Sequence, residues 1–501
     1  MSSSEGGLAP AATEPLGAQA QADVLDTGAA GGLVVRGGTL RVGSYVAGVL
    51  VSVLGASLMF RHLDVVDYGR YATVMAFITI VGALSDLGLT GVGLRQAAVG
   101  ERGERERIVR NIVGMRLSTS AIGLSLACAF ALVTGYPAVV VEGILVAGVG
   151  LFAVVTLDSY MMQLQVGLRL GWTAALEFVR VLGQTLAVVA LVLAGASLLP
   201  FTGTQIPGAL TAAVIAALLV RSSSRLWPSF ERSVWSSLAR EMLPYAAAAA
   251  IGAVYFRVEI VVLSLTSSGV QTGLFGTAFR ITEVVVGIPW LVASSALPVI
   301  ARAADTDHDR LSYALARMFD ASLVAGVGVA LAIFLGAKFA IDLVAGPKYA
   351  GSVEVLQIQA VTVAFTFLMT QWGFALLALK RARALLAVNA LGLTVAVLVT
   401  VWLGGERGAA GASIALVCAE ATLAAGYALF LNRRGQRRLA LPRGALVRVA
   451  LAAGAGLAIA TAAPISSLPA TIVGLGVYLL VLAAVGGIPP EAVQLLPGRR
   501  R

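Results

Sequence analysis

The sequence predicts an all-α polytopic membrane protein with about 14 transmembrane helices and both termini in the cytoplasm. Three observations carry that prediction. First, the 501 residues are 58% apolar and only 12% charged, with a mean hydropathy of +0.90; a soluble domain sits near 45–50% apolar and about 25% charged. Second, the apolar residues gather into stretches of roughly the 20 residues that a helix needs to cross the hydrocarbon core. Third, the arginines fall in alternate gaps between those stretches.

The spans lie near 42–60, 71–91, 113–134, 139–157, 173–194, 200–220, 243–266, 276–300, 319–345, 354–379, 384–403, 410–431, 445–463 and 468–486. The sixth has the weakest helical pattern, because it opens with Pro200, Gly203, Pro207 and Gly208. Residues 1–31 are rich in Ala, Gly and Ser, the composition of a disordered tail, and lack the basic and apolar regions of a signal peptide. The first span is then the insertion signal.

Of the 36 basic residues, 28 lie in the alternate set of gaps that contains the N-terminus, from Arg36 and Arg41 to Arg499–Arg501. The opposite set holds five: Arg61, Arg70, Lys338, Lys348 and Arg407. The positive-inside rule places the first set in the cytoplasm. An even number of spans is required for this, and one missed span would scramble the alternation. The net charge of +10 is thereby explained by topology and not by a nucleic-acid partner. The 433–448 run, with six arginines, suits anionic membrane lipids. The mixed run Glu101–Arg110 has the pattern of a solvated, salt-bridge-laced helix. Cys128 and Cys418 sit inside apolar stretches as small core residues, and the spacing of His62 and His308 fits no metal site. The outer loops are short, which argues against an enzyme working on the outer face.

Gly69-Arg70-Tyr71-Ala72-Thr73 opens the second span and Gly273-Leu274-Phe275-Gly276-Thr277 the eighth, an offset of 204 residues. Six spans separate the copies, so they share one orientation. A parallel repeat implies two lobes about an axis along the membrane normal, with a site between them.

Several segments resemble a known family. Arg61-His-Leu-Asp-Val-Val-Asp-Tyr-Gly-Arg-Tyr-Ala72 and Ser85-Asp86-Leu87-Gly88-Leu89 are similar to signatures of the prokaryotic polysaccharide flippases. So are Thr272–Phe275 with Arg280 and Glu283, Gly346–Tyr349 with Leu356–Ile358, and Gly408–Ala415 with Glu420. These flippases form a branch of the multidrug/oligosaccharidyl-lipid/polysaccharide exporter superfamily. The resemblance spans about 33–435. It implies two six-helix lobes plus two C-terminal helices. The chain then divides into a disordered cytoplasmic tail (1–35), an N-lobe (36–220), a cytoplasmic linker (221–242), a C-lobe (243–431), spans 13–14 with a basic linker (432–486) and a cytoplasmic tail (487–501). It also implies a non-enzymatic, monomeric flippase in the plasma (inner) membrane of a prokaryote. Such a flippase moves polyprenyl-diphosphate-linked oligosaccharide, a surface polysaccharide precursor, by alternating access. Its partners would be the lipid-linked glycan and the glycan polymerase or glycosyltransferases that handle it. The alternative within the superfamily is a cation-coupled small-molecule or multidrug exporter.

Charges inside spans cost roughly 2.5–3.5 kcal/mol each on insertion scales, so they face a cavity or a partner. Topology leaves three arginines unexplained: Arg180, Arg257 and Arg280. Arg257 lies about 20 Å into its span at 1.5 Å per residue. With Arg41 at the mouth of the first span, these are candidate partners for a diphosphate headgroup, whose oxygens match the guanidinium fork. The competing reading is internal ion pairing, Glu177 with Arg180 and Arg280 with Glu283 at helical spacing. Asp86, Glu420 and Glu259 are candidates for coupling to Na+ or H+, with hydrogen-bonded neutral carboxyls as the alternative. Asp86 and Glu420 have no cation nearby on their own helices. No metal or other cofactor is expected.

Overall fold

A computed structural model describes residues 28–89, 102–166, 169–220, 227–306, 308–379, 381–432, 443–462 and 464–487, with the backbone alone for 28–42. Helices fill these segments. In the first half they are α1 (Gly28–His62), α2 (Val65–Asp86), α3 (Arg102–Val133), α4 (Ala138–Val166), α5 (Leu170–Leu193) and α6, a short turn Leu198–Thr202 followed by Gln205–Val220. The second half holds α7 (Arg232–Thr266), α8 (Gly269–Thr306), α9 (His308–Val344), α10 (Ser352–Ala378), α11 (Ala382–Val399) and α12 (Gly405–Leu431). Last come α13 (Arg443–Ala462) and α14 (Ser467–Ala484). Each expected span overlaps one of them, but 71–91 runs past the end of α2 at Asp86 and 384–403 runs past α11 into the π-helical turn Thr400–Gly404, and α6 is interrupted at Gly203.

The fold is a multi-pass membrane fold. Ten stretches of the described residues are long and apolar enough to cross a bilayer, one of them, Ala382–Leu431, covering both α11 and α12. α2, α7 and α8 do not reach that standard, and α7 and α8 carry Arg257, Glu259, Arg280 and Glu283 along their lengths. Several helices outrun their apolar segments. α7 begins at Arg232, so residues 232–242 of the 221–242 stretch expected as linker are helical. α1 likewise starts at Gly28, inside the expected 1–35 tail, while residues 1–27 and 488–501 lie outside the described residues.

α1–α6 pack as one lobe and α7–α12 as another; α13 and α14 pair with each other and lie on α9. α2 joins the lobes by packing along both α7 and α8. Its crossing with α8 is a backbone-to-backbone contact. A Cβ on Gly69 would lie 2.4 Å from the carbonyl oxygen of Gly269, and one on Gly273 would lie 2.0 Å from that of Val65. Both distances are far inside van der Waals contact, so only glycine permits the approach. The two contacts are reciprocal: Gly69 and Gly273, like Val65 and Gly269, are 204 residues apart. The helix starts are also alike. Asp64 caps α2 by accepting from the Asp67 amide (2.7 Å), and Ser268 caps α8 by accepting from Gln271 (3.4 Å). Thr73 and Thr277 each donate to the carbonyl four residues back, that of Gly69 (2.9 Å) and of Gly273 (2.8 Å). A two-fold relation between the lobes therefore passes through this crossing.

At this end the lobes share one core, with Phe60, Tyr68, Tyr71, Val74, Phe77, Ile260, Leu263, Phe275, Ile341 and Tyr349 all buried. A clasp reinforces it. Lys348 donates to the carbonyls of Arg61 (3.0 Å) and Leu63, Tyr349 donates to that of Asp64 (3.2 Å), and Arg61 donates to that of Leu343 (2.8 Å). Toward the opposite, arginine-rich end one core lies within the second lobe around Met369, Leu423 and Tyr427 and one within the first around Leu157, Leu176 and Ala216, while a small third core joins Val109, Ile112 and Met162 of the first lobe to Leu238 and Met242 near the start of α7. The molecule is thus sealed at the end with few basic residues.

At the basic end the connection between lobes is strapped onto α3. The Ser229 amide donates to the Arg110 carbonyl (3.0 Å), and the Arg110 side chain donates to that of Trp227 (2.9 Å). Gly114 lets the strap lie close, since a Cβ there would meet the Ser229 carbonyl oxygen at 2.3 Å. Glu231, at the start of α7, accepts from Arg107 and from Asn111 Nδ2 (3.2 Å), while its own amide donates to Asn111 Oδ1 (2.9 Å). Arg107 and Arg110, expected on a solvated face, thus hold the inter-lobe connection. Cys418, expected in a core, is exposed on the apolar outer surface.

Gly273→Val should force the lobes apart at the sealed end. In a background with Cys128 and Cys418 replaced by alanine, a Thr277→Cys reporter, buried in the parent, should become reactive to a membrane-impermeant thiol reagent. Gly476→Val, a position with nothing within 4 Å of its Cβ, should leave that reporter protected. The hydrogen bonds and charge of Arg107 lower the Glu231 carboxyl to about 2. Its folded-state value lies below the unfolded one, so the strap's ionic contribution is complete above about pH 4.5 and is lost as pH falls toward 2. Trypsin cleavage after Arg232 is the check: Glu231→Gln should show at neutral pH the sensitivity expected from losing this pair.

Candidate functional site

The charged residues of α7 and α8 meet on one carboxylate. Glu283 accepts from Arg257 through Oε1 and from Arg280 through Oε2, the latter at 2.9 Å. Arg280 also donates to Ser52 Oγ of α1 (2.6 Å), which ties the cluster to the other lobe. The Arg257 guanidinium lies over the Phe279 ring, 5.2 Å from its centre. Arg257 stands nine residues before the end of α7 and Arg280 eleven after the start of α8. At 1.5 Å per residue both are about 15 Å in from the sealed end. Arg280 therefore sits well below the interface, deeper than the four residues that the apolar pattern suggested, because α8 starts earlier than its apolar segment.

The cluster lies where the seal stops. Along α8, Phe275, Thr277 and Ala278 are fully buried, whereas the Arg280 side chain is 38% exposed. Along α2, Thr79, the repeat counterpart of Glu283 at the 204-residue offset, is exposed between the buried Ile78 and Val81. The seam between α1 and α8 is lighter than that between α2 and α7. It is bridged by Arg280–Ser52, and at Gly287 a Cβ would lie 2.2 Å from the Tyr45 hydroxyl.

Arg180 is not part of this cluster. It pairs with Glu177 on its own helix, α5, as their spacing allows. Arg41 lies on α1 and its side chain is outside the described residues.

A second polar group lies inside the second lobe. Glu259 and Glu420 are both buried, at 2% and 4% exposure. Glu420 accepts from Tyr255 (3.1 Å) and Thr366 (3.3 Å). Tyr255 is one helical turn before Glu259 on the same face of α7, and its bond to Glu420 sets that face of α7 against α12. Glu259 Oε1 is buried without a hydrogen-bond partner among the described residues. About two turns away along α10 and α12, Thr282, Gln359 and Ser413 form a buried chain of hydrogen bonds at 3.3–3.4 Å.

Asp86 stands apart from both. It is the last residue of α2, which stops because Leu87 and Gly88 take left-handed backbone (φ 39° and 87°). The neighbouring helix supplies the cation that its own helix lacks: Arg116 of α3 reaches Asp86 at 3.7 Å and Asp158 of α4 at 3.0 Å. Asp158 fell one residue beyond its apolar span, and no spacing within one helix could reveal the triad. Glu283 was visible only as the partner of Arg280; its bond to Arg257 joins residues 26 apart on two helices.

A family profile described as "Polysaccharide biosynthesis protein" matches residues 34–304. The chain belongs to this family. Among solved structures it is similar to "Lipid II flippase MurJ, inward closed conformation", with a TM-score of 0.73 at 10% identity, over 89% of this chain and 98% of that one. It is also similar to the "inward-facing conformation of a multidrug resistance MATE family transporter of the MOP superfamily" (TM-score 0.57, 14% identity, 78% and 97% covered). A third is a MOP superfamily transporter from Pyrococcus furiosus (0.51, 14%, 77% and 94%). No curated protein matches the sequence. The family match agrees with the motif resemblance, and the shared fold is that of transporters.

Arg116→Met would leave two partly buried carboxylates facing each other. Removing one partner of a buried ionic group costs roughly 3–5 kcal/mol, so the melting temperature in detergent should fall clearly, and Asp158→Asn in the same chain should recover part of the loss.

Proposed function

We propose that this protein is a flippase that carries polyprenyl-diphosphate-linked oligosaccharide across the plasma membrane of a prokaryote by alternating access, with its basic end and both termini in the cytoplasm. The observation that carries this reading is the convergence of Arg257 and Arg280, from two helices, on Glu283 at the seam between the lobes, where Arg280 also bonds Ser52 of the first lobe. Two guanidinium forks can hold several oxygens of a diphosphate. The family membership points the same way. With Glu283 counted, the cluster keeps one net positive charge, which disfavours the cationic drugs that a multidrug exporter would carry. Arg180 and Arg41 are further contacts on the cytoplasmic side of the path.

Glu259 and Glu420 are the proposed seat of coupling to H+ or Na+. A buried carboxyl oxygen without a partner suits a proton or a small cation, and Tyr255 and Thr366 hold Glu420 beside it. Asp86 already has a guanidinium as its counter-charge, so it serves to brace α2 against α3 and α4. Monomeric action beside glycosyltransferases or a polymerase completes the reading.

Deletion of the protein should trap glycan-charged carrier lipid on the cytoplasmic face, measured by accessibility of the glycan in right-side-out and inverted vesicles. Complementation with Arg257→Ala should restore membrane abundance but lower export by about tenfold, the scale of one charge-assisted hydrogen bond. Glu420→Gln should abolish the dependence of export on an imposed Na+ or H+ gradient. Normal surface glycan after deletion, or export unchanged by Arg257→Ala, overturns the reading.

A further inference from the structure

We infer that Glu283 is a built-in counter-anion that occupies the diphosphate's place between Arg257 and Arg280 whenever the carrier is empty. This rests on the reading of the two arginines as headgroup ligands and adds the means by which the site resets. Each oxygen of the Glu283 carboxylate takes a guanidinium from a different helix, Arg257 of α7 and Arg280 of α8. A phosphate presents oxygen pairs to the same donors. The carboxylate and the substrate therefore compete for one set of hydrogen bonds.

The competition answers a physical difficulty. A flippase must return empty, and two guanidinium groups about 15 Å inside the protein would then pass through the closed intermediate, shut off from water, without their ligand. Unpaired buried charge is strongly unfavourable, whereas a paired one is tolerated. Glu283 keeps both arginines paired during the return, and it is half-buried itself (31% exposed) beside an Arg280 side chain that is 38% exposed, so incoming phosphate oxygens can reach the donors and displace it. Arg280 donates through its other terminal nitrogen to Ser52 Oγ at 2.6 Å, which keeps that fork in place during the exchange. The price is affinity: part of each phosphate contact replaces one that already existed. Glu283 is in this sense a positioning residue that trades binding strength for turnover.

The test measures binding and turnover separately, on purified full-length protein with farnesyl diphosphate as probe. Glu283→Gln should bind farnesyl diphosphate with a Kd roughly tenfold lower than the parent, the change expected when one competing charge-assisted bond is removed. The same variant reconstituted in vesicles should export more slowly. Glu283→Asp, which keeps the charge, should restore the parent affinity and part of the rate. A merely structural role would weaken binding and lower the melting temperature together in Glu283→Gln. An unchanged or weaker affinity in a variant with the parent melting temperature overturns the counter-anion role. Failure of the underlying reading looks different: Arg257→Ala and Arg280→Ala would then bind farnesyl diphosphate as tightly as the parent does.

Discussion

The close crossing of α2 and α8 is the contact on which the rest of the structure depends. Two carbonyl oxygens, those of Val65 and Gly269, sit where the side chains of Gly273 and Gly69 would be. Backbone contact of this kind sets the spacing of the lobes within tenths of an ångström. It brings Tyr68, Tyr71 and Phe275 into one shared core and leaves the helices to diverge below it. Arg257, Arg280 and Glu283 lie about two helical turns further down, at the point of divergence. The placement of charge at the seam between the lobes thus follows from a packing feature of small residues.

The two polar groups of the second lobe differ in a way that suits different tasks. The arginine cluster is partly open and its partners come from α1, α7 and α8, so it spans both lobes. The Glu259 and Glu420 pair is closed off within one lobe, with α7, α10 and α12 contributing. α7 carries both Arg257 and Glu259, two residues apart and on different faces. A change of charge on the buried face would act on the same helix that presents a guanidinium to the inter-lobe space.

Most of the helix positions were readable in the sequence, because hydropathy reports directly on burial in lipid. The ends were less readable: α7, α8 and α9 run 35, 38 and 37 residues, and their polar extensions carry no apolar signal. The repeat was visible in five residues, and its cause, the glycine contact, explains why those residues recur. Arg257 and Arg280 emerged by subtraction, since topology accounted for the other arginines outside α5. Their common partner did not emerge, because helical spacing rules reach only three or four residues along one helix and Glu283 meets Arg257 across two. The same limit made Asp86 look unpaired when Arg116 and Asp158 lay on neighbouring helices. Gly114 and Glu231 were likewise silent until the strap was seen lying on α3.

The clasp at the sealed end joins Lys348 and Tyr349 to the carbonyls of Arg61, Leu63 and Asp64. Main-chain carbonyls belong to every residue and do not titrate. The grip of Lys348 and Tyr349 therefore depends on the path of the turn between α1 and α2, while the side chains of that turn do other work, Asp64 capping α2 and Arg61 reaching Leu343. Its acceptors also carry no ionic charge for salt to screen. Surroundings that differ widely in acidity or ionic strength leave these acceptors as they are, so release of the clasp is a matter of moving the turn bodily away from the loop before α10.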